Sequence, residues 1–235
     1  MTNARTFAIM ITKLANKVIR HLAKKRGDGK MARGTYDETH QKILVSGMRM
    51  FMENGYERTN LRDLCADAGI TTGSFYRHFD SKEALFSYFV QPAVTEITQL
   101  FTASEICCEN VLEEGQVLKL WDVVSAEALV DLIYRHFDRL KLLLKCADGT
   151  PYNCFLNDVV CMEAKLSTKF LTEAKARGMI QAELPSEDEM HMICHAYVSS
   201  LFESVMHDFS KDAMVRYIHT MTTFFSGGAK TLLDL

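Results

Sequence analysis

Hydrophobic residues recur along this chain at intervals of three and four, the period of an α-helix with one buried face. Leu61, Leu64, Cys65 and Ala68, for example, share one face of a short predicted helix. The 235 residues include only three prolines and twelve glycines, and no segment alternates convincingly as a half-buried strand does. The sequence therefore predicts an all-α fold.

Two short helices joined by a tight turn are predicted between residues 60 and 79. Asn60 and Thr71 can each accept a hydrogen bond from an unpaired amide at the start of a helix. Gly69 can adopt the positive φ that ends the first helix abruptly. Phe75 and Phe79, four residues apart, can anchor the second helix in a core, which leaves its small leading end free to enter a groove.

The side chains of the second helix that do not face the core include hydroxyls, a phenol and cations. Such groups hydrogen-bond phosphate oxygens, and the amides at the start of a helix also bind phosphate. An arginine there can also reach guanine edges in the major groove. The predicted DNA-facing residues are Thr71, Thr72, Gly73, Ser74, Tyr76, Arg77, His78 and, after a cap at Asp80 or Ser81, Lys82. The alternative is an ordinary helical bundle with a solvated polar face.

This part of the chain resembles the DNA-binding domain of the TetR/AcrR regulators, through residues 43–51, 53–56, 76–79 and 81–85. Gly47 and Cys65 stand where alanine is more usual in the family. Relative to alanine, Gly47 should lower the stability of its helix by roughly 1 kcal/mol or slightly less. The positions matching phosphate-contacting residues of the family are Tyr76, His78 and Lys82. Those matching groove-contacting residues are Thr71, Thr72, Ser74 and Arg77, and Arg62 matches another position near the DNA.

The charge distribution agrees with this resemblance. The whole chain carries a net charge of -3, but residues 1–90 hold fifteen Lys+Arg against nine Asp+Glu, and residues 91–235 hold twelve against twenty-one. A basic first part and an acidic remainder orient the molecule on DNA and make its affinity fall with salt.

Three segments are predicted: a basic extension (1–30), a helix-turn-helix domain (31–80, hereafter the head) and an effector-binding and dimerisation domain (81–235, the body). A continuous helix from Ser81 to about Phe101, kinked at Pro92, is expected to join head and body. The extension has eight Lys and Arg against the single acid Asp28. It is either a basic arm or the result of an upstream start, since Met31 opens a stretch that looks like a normal beginning for the family.

Two apolar seams in the body suggest an antiparallel helix pair: one ends near Gly178, and the other follows a capping box at Ser186 to Glu189. The family's last helices form a dimeric four-helix bundle, and the residues expected in it are Phe155, Val159, Met162, Leu166, Phe170, Met190, Ile193, Tyr197 and Leu201.

Resemblance also places an effector pocket in residues 104–155, with Trp121, Tyr134, His136, Phe137, Cys146, Tyr152 and Phe155 as candidate walls. Each of these is also a normal core residue.

Other functions receive little support from the sequence. There is no Gly-rich phosphate loop, GxSxG elbow or defined carboxylate pair, so an enzyme is not expected and no cofactor is predicted. His191 and His195 lack a third ligand, so no metal is predicted either. No apolar run approaches the roughly 20 residues that a membrane-spanning helix needs, so we expect a cytoplasmic protein. The seven cysteines show no CxxC spacing, and we expect their thiols to be reduced.

The resemblance thus implies a homodimeric transcriptional regulator, usually a repressor, that binds a palindromic operator in double-stranded DNA. A small-molecule effector would release it by moving the connecting helix. The alternative is a helix-turn-helix regulator controlled by protein contacts or by thiol oxidation, for example at Cys107 and Cys108 or at Cys154 and Cys161.

Overall fold

A computed structural model describes residues 33–113 and 126–235, and all regular structure in these two stretches is helical. The helices are α1 (Arg33–Asn54), α2 (Leu61–Asp67), α3 (Thr72–Phe75), α4 (Lys82–Glu113), α5 (Ala126–Arg135), α6 (Phe137–Cys146), α7 (Phe155–Ala176), α8 (Glu187–Met206) and α9 (Lys211–Leu232). The all-α prediction is confirmed for this part of the chain. The basic extension (1–30) and Trp121 lie outside the described residues.

The head folds around buried rings and aliphatic side chains. Phe51 of α1, Leu64 of α2, Phe75 of α3 and Phe86 of α4 are all fully inaccessible to solvent. Phe51 and Phe86 meet edge to face, with ring centroids 5.4 Å apart. Burying a side chain of this size stabilises the fold by roughly 1.5–3 kcal/mol, so α1 to α3 are held as one unit on the first turns of α4.

Gly47 lets α1 approach α4 closely. A Cβ added at Gly47 would lie 2.8 Å from Cδ2 of Leu85 and 3.4 Å from Cε2 of Phe89. The Leu85 side chain therefore occupies the space that an alanine would need. The glycine costs the helix some propensity, but it permits this contact between two buried helix faces.

The connecting helix α4 is longer than predicted. It begins at Lys82, one residue after Ser81, whose Oγ accepts a 3.0 Å hydrogen bond from the amide of Ala84. It includes Pro92, as expected, but it continues to Glu113 rather than ending near Phe101. At 1.5 Å per residue its 32 residues span about 48 Å. One element therefore runs from the head far into the body.

In the body, α7 and α8 pack against one another and supply much of the core. The predicted stop is confirmed: α7 ends at Ala176, and Gly178 has φ +74°. The capping box is confirmed too, because the Glu189 carboxylate accepts from the Ser186 amide at 2.8 Å while the Ser186 hydroxyl accepts from the Glu189 amide at 3.3 Å. The last helix, α9, packs on α8 and α5.

The head contacts the body directly as well as through α4. The amide of Tyr56, in the loop after α1, donates a 3.0 Å hydrogen bond to the carbonyl of Cys146 at the end of α6. The Tyr152 hydroxyl donates to Oε1 of Gln91 on α4 at 2.7 Å. The end of α6 is therefore bonded to the loop between α1 and α2, and the segment after α6 is bonded to α4.

None of the helices within residues 33–113 and 126–235 combines the length and hydropathy needed to cross a lipid bilayer.

Candidate nucleic-acid interface

The turn between α2 and α3 is built by the residues predicted for it. Oδ1 of Asn60 accepts a 2.8 Å hydrogen bond from the amide of Arg62, and Oγ1 of Thr71 accepts one of 3.1 Å from the amide of Ser74. Gly69 has φ +65°, the left-handed conformation that ends α2. These local contacts fix the angle between the two helices and present the start of α3 at the surface.

Two phenylalanines hold α3 in place from behind. Phe75 is 0% exposed and Phe79 is 8% exposed, and their ring centroids lie 5.9 Å apart. The side chains on the opposite side remain in solvent: Thr71, Thr72, Tyr76 and Arg77 are exposed, and Ser74 is half-buried. An exposed polar edge on a firmly anchored short helix can enter a DNA groove without unfolding anything.

Gly73 leaves the leading end of α3 open. A Cβ added there would meet only Oγ1 of Thr71, at 3.9 Å. Packing inside the chain therefore does not require a glycine at this position. A glycine at this position leaves the amides at the start of the helix accessible to an anion.

Tyr76 projects further than its neighbours, with 56% of its surface exposed. Arg62 at the start of α2 and Arg77 after α3 are also exposed, so a phenol and two guanidinium groups are accessible on these two helices and just after them. A phenol and guanidinium groups donate hydrogen bonds to phosphate oxygens, and guanidinium groups bind them in bidentate fashion. The arrangement suits the surface of a duplex.

His78 is placed differently from the expectation that it faces outward as a cation. It is half-buried, its ring stacks on Tyr36 with centroids 4.0 Å apart, and its Nδ1 is buried without a hydrogen-bond partner. Burial, together with the nearby His40 and Arg77, lowers the pKa of His78. The imidazole is therefore mainly a neutral packing element, and a phosphate contact by it stays a prediction.

Lys82 is likewise not a free surface cation. Its Nζ donates 2.8 Å hydrogen bonds to the carbonyls of Tyr56 and Thr59, and it lies 4.1 Å from the centroid of the Tyr56 ring. The carbonyl of Glu57 lies 3.5 Å away. Burial lowers the pKa of the Lys82 ammonium. These contacts hold the loop after α1 against the start of α4, which the sequence did not predict.

The residues predicted to line an effector pocket are spread over several helix contacts. His136, Cys146 and Phe155 are buried, while Tyr134, Phe137 and Tyr152 are half-buried. The Tyr134 hydroxyl donates to the carbonyl of Phe209, and the Phe155 ring packs on Phe202. Within the described residues these six therefore fill helix interfaces of one chain, and their role toward a ligand stays a prediction.

His136 ties the junction of α5 and α6 to α4. Its Nε2 lies 2.6 Å from Oε2 of Glu96, which also pairs with Arg135. Burial, with the neighbouring Arg139 and Arg135, lowers the pKa of His136 to about 4. The nearby Glu96 carboxylate favours the protonated imidazole and so works against this shift. His136 is therefore neutral at pH 7, donates from Nε2 and links the body to the connecting helix.

A cavity of about 920 Å³ lies between α7, α8 and α9. Its walls are mainly apolar, with Leu166, Leu171 and Met190 among them, and Glu163 is the one charged side chain among the described residues that line it. None of the six described residues predicted to bind an effector lines it. The sequence contained a signal for Glu163, because it lies four residues after Val159 and so falls on the buried stripe of α7.

The predicted dimer seam is also placed differently. Five of its nine residues are buried within a single chain, where they form core and cannot face a second copy: Phe155, Val159, Phe170, Met190 and Leu201. Met162, Leu166 and Tyr197 are half-buried, and Ile193 is 39% exposed. Exposed large hydrophobic residues lie instead further round α8 and along α9, at Met192 (67%), Phe224 (72%) and Leu232 (50%).

The cysteines and histidines whose side chains the structure describes do not come together as a second site. Cys154 is exposed and Cys161 half-buried, and both are free thiols. Seven residues along a helix span about 10 Å, beyond the reach of a disulfide, so oxidation cannot join these two without unwinding α7. The side chains of Cys107 and Cys108 lie outside the described residues. Among those that are described, no three potential ligands are brought together for a metal ion.

Residues 43–89 match the family model for bacterial regulatory proteins of the tetR family. A match to the uncharacterised HTH-type transcriptional regulator YerO of Bacillus subtilis is 37% identical over 49 residues, covering 21% of this chain and 17% of that protein. The HTH-type transcriptional regulator TtgR of Pseudomonas putida is 30% identical over 168 residues, covering 70% of this chain and 78% of TtgR. Similarity to TtgR therefore extends well beyond the head.

Among solved structures, the chain resembles NalD, described as the secondary repressor of the MexAB-OprM multidrug efflux pump in Pseudomonas aeruginosa. The TM-score is 0.52 at 21% identity, and the superposition covers 79% of this chain and 94% of NalD. This likeness concerns the arrangement of helices in head and body together.

Proposed function

This chain belongs to the TetR family of transcriptional regulators, and from that premise we propose that it is a homodimeric repressor released from a palindromic operator by a small molecule. Its domains in this proposal are the head (31–80) and the body (81–235). The observation that carries the proposal is the exposed polar edge of α3, anchored by Phe75 and Phe79 and left open at Gly73. We propose no enzymatic role.

The proposed DNA contacts follow from exposure. Thr71, Thr72, Tyr76, Arg77 and Arg62 are accessible donors, and Ser74 lies between them. Tyr76 and the arginines would bind phosphates, and the threonines or Arg77 would reach base edges. His78 and Lys82 would act mainly by holding the surface in shape, given their contacts with Tyr36 and with the loop after α1.

The proposed dimer forms through the exposed faces of α8 and α9. Phe224 and Leu232 lie on the same side of α9 as Gly227 and Gly228, at which an added Cβ would meet nothing within 4 Å. Each glycine costs an exposed helix about 1 kcal/mol relative to alanine, and close approach of a second helix would compensate for that cost. A twofold axis at this face would give two heads and a palindromic site.

Release by an effector would use the contacts between body and connecting helix. Glu96 of α4 is held by Arg135 and His136, and the carbonyl of Cys146 is bonded to the amide of Tyr56. A ligand that shifts α5 and α6 would therefore move both α4 and the loop beside the DNA-facing helices. A differential affinity of about 1–3 kcal/mol between the two states would change DNA binding 5- to 150-fold.

The test is selection of duplexes from a random pool at low salt, followed by affinity measurement for the enriched sequence. We expect a palindrome with two half-sites. Tyr76→Phe should weaken binding about five- to tenfold, equivalent to one hydrogen bond, whereas Tyr88→Phe, which alters another exposed tyrosine of similar accessibility on α4, should not. Gly73→Val should abolish binding at unchanged melting temperature.

No enrichment at low salt would refute the proposal. An enriched palindrome whose binding responds to no small molecule, but changes with a protein partner or an oxidant, would favour control by protein contacts or by thiols instead. The repression described for NalD supports the sign of regulation, which a reporter assay on the selected operator would measure directly.

A further inference from the structure

We propose that His40 and His78 form a proton-binding pair, and that DNA binding causes one proton from solvent to be shared between their two Nδ1 atoms. This inference rests on the proposed function, because it adds proton uptake to the binding of DNA by the head. Its consequence is an affinity for DNA that increases as the pH falls through the neutral range.

The two imidazoles are brought together from different elements of the head. His40 lies on α1 and His78 follows α3, and their ring centroids are 5.5 Å apart with planes at 38°. At this separation an N–H on the edge of one ring can reach a nitrogen of the other after a small rotation. Both residues are half-buried, so the pair lies at the margin of the core of the head.

Both Nδ1 atoms are buried and have no hydrogen-bond partner. A neutral imidazole carries a hydrogen on one ring nitrogen and a lone pair on the other, so two neutral rings protonated at Nε2 leave two bare Nδ1 acceptors unsatisfied. Unsatisfied buried atoms of this kind are rare in proteins and are often found at functional positions. One proton taken from solvent would satisfy both, because the Nδ1–H of one ring can donate to the bare Nδ1 of the other.

The rings packed around the pair supply no negative charge. Tyr36 of α1 stacks on His78 with centroids 4.0 Å apart, Phe79 stacks on His40 at 5.2 Å, and Tyr88 of α4 meets His40 edge to face at 5.7 Å. Phenyl and phenol groups are uncharged near neutral pH. The described part of the chain brings no carboxylate into hydrogen-bond contact with either Nδ1. A proton on the pair would therefore have no counter-ion there.

The free protein accordingly disfavours the protonated pair. Burial, then the charges of His40 and Arg77, lower the pKa of His78. The two imidazoles also oppose each other's protonation, so the pair takes up one proton rather than two and titrates as a unit. Near pH 7 and without DNA, both rings are neutral.

DNA would supply the missing negative charge. Tyr76 and Arg77 immediately precede His78 and are exposed, and both are proposed to bind phosphates. A phosphate held by these side chains would lie beside the pair, and an opposite charge within about 4–6 Å favours the protonated form of an imidazole. Bound DNA therefore favours the protonated pair, and by linkage the protonated pair favours bound DNA to the same extent.

The number of protons taken up on binding tests this directly. The full-length protein is titrated calorimetrically with the palindrome enriched in the selection described above, in buffers that differ in ionisation enthalpy. Uptake should approach one proton per head at pH 6.5 and decline toward pH 8. The DNA-bound state holds the extra proton, so affinity should increase as the pH falls, by at most about tenfold per pH unit for each head.

Two matched variants identify the pair. His40→Gln removes one imidazole and keeps a side chain that can hydrogen-bond to Nδ1 of His78, so proton uptake and the pH dependence of affinity should disappear. His207→Gln, which removes an exposed histidine of the body, should leave both unchanged. Melting temperatures show whether each variant is folded. Unchanged or larger uptake in His40→Gln would overturn the pair and assign the proton to His78 alone, at a phosphate.

Nitrogen-15 spectra of the histidine-labelled wild-type protein provide a second test, which does not depend on the stability of a variant. In the DNA complex at pH 6.5, the Nδ1 resonances of His40 and His78 should both move toward the values of a protonated nitrogen. The Nδ1 resonance of His207 should stay in place. Movement of only one of the two Nδ1 resonances would overturn the shared proton.

The outcomes separate this inference from the proposed function. Binding to the palindrome without proton uptake between pH 6.5 and 8 would overturn the pair and leave DNA recognition by the head intact. Failure of the protein to bind every duplex at low salt would overturn both. Uptake that persists in the wild-type protein and in His207→Gln but is lost in His40→Gln is the result that supports the pair.

Discussion

The amide of Tyr56 and the carbonyl of Cys146 are joined by a 3.0 Å hydrogen bond, which connects the loop after α1 to the end of α6. Gly149 lies beside the same loop, since a Cβ added there would stand 3.5 Å from Cβ of Glu57. Two connections thus run between head and body, the long helix α4 and this loop contact. The body is therefore attached to the head at two places, one along α4 and one at the end of α6.

Replacing Lys82 by methionine tests whether the lysine shapes the head or binds DNA itself. The ammonium group bonds the carbonyls of Tyr56 and Thr59 at 2.8 Å, so Lys82→Met should lower stability by about 1–3 kcal/mol and weaken operator binding. The dependence of log K on log salt should stay nearly unchanged. Lys42→Met, at an exposed position of α1, is the control for loss of charge. If the slope of log K against log salt were instead smaller by about one unit in Lys82→Met, Lys82 would be identified as a phosphate contact.

Replacing Gly47 by alanine should destabilise the head despite the better helix propensity of alanine. The new Cβ would lie 2.8 Å from Cδ2 of Leu85, a fully buried side chain. Overpacking of this kind costs about 1–3 kcal/mol, which exceeds the propensity gain of about 1 kcal/mol. Thermal unfolding of Gly47→Ala, Leu85→Val and the double variant checks this. A double variant no more stable than the sum of the single changes would show that the two side chains do not collide.

Stability should fall as pH decreases from about 6.5 toward 4. The pKa of His136 is lowered to about 4 in the folded chain. Between pH 6.5 and 4 the His136 imidazole therefore binds a proton in the unfolded chain but not in the folded chain, which favours unfolding. The depression corresponds to at most about 3 kcal/mol, and the Glu96 carboxylate at 2.6 Å makes the loss smaller. Urea unfolding at several pH values measures it. His136→Gln should flatten the profile between these limits, and an equally steep profile in that variant would assign the effect to other groups.

Replacing Phe224 by glutamate should dissociate the proposed dimer. Phe224 is 72% exposed on α9, and a pair of carboxylates at a twofold interface would repel each other in place of apolar contact. Analytical ultracentrifugation should show monomers, and affinity for the palindrome should fall toward that for a single half-site. His219→Glu, on another exposed side of α9, serves as control. Dimers that persist in Phe224→Glu would move the interface elsewhere.

Local signals in the sequence identified the head well. Asn60, Thr71 and Gly69 act at the positions predicted for them, because caps and left-handed glycines depend on neighbours within a few residues. The same holds for the capping box at Ser186 and Glu189. Such features need no knowledge of the tertiary fold.

Features that depend on packing between distant helices were not predictable in the same way. An apolar stripe looks alike whether it faces the core or a partner, so Phe155 and Val159 were expected in a dimer seam although both are buried in one chain. Lys82 was expected in solvent, since nothing local shows that the carbonyls of Tyr56 and Thr59 lie within its reach. Glu163 was overlooked because a single acid on a long helix normally faces water.

The length of α4 turns small displacements into large ones. If the end near Glu113 acts as the pivot, a tilt of about 5° over about 48 Å carries the head roughly 4 Å sideways. Two heads moving apart in a symmetric pair would change their separation by roughly 8 Å, a quarter of the distance between successive turns of the major groove. A rearrangement no larger than a side chain's width could therefore put the second head out of phase with the groove while the first still fits.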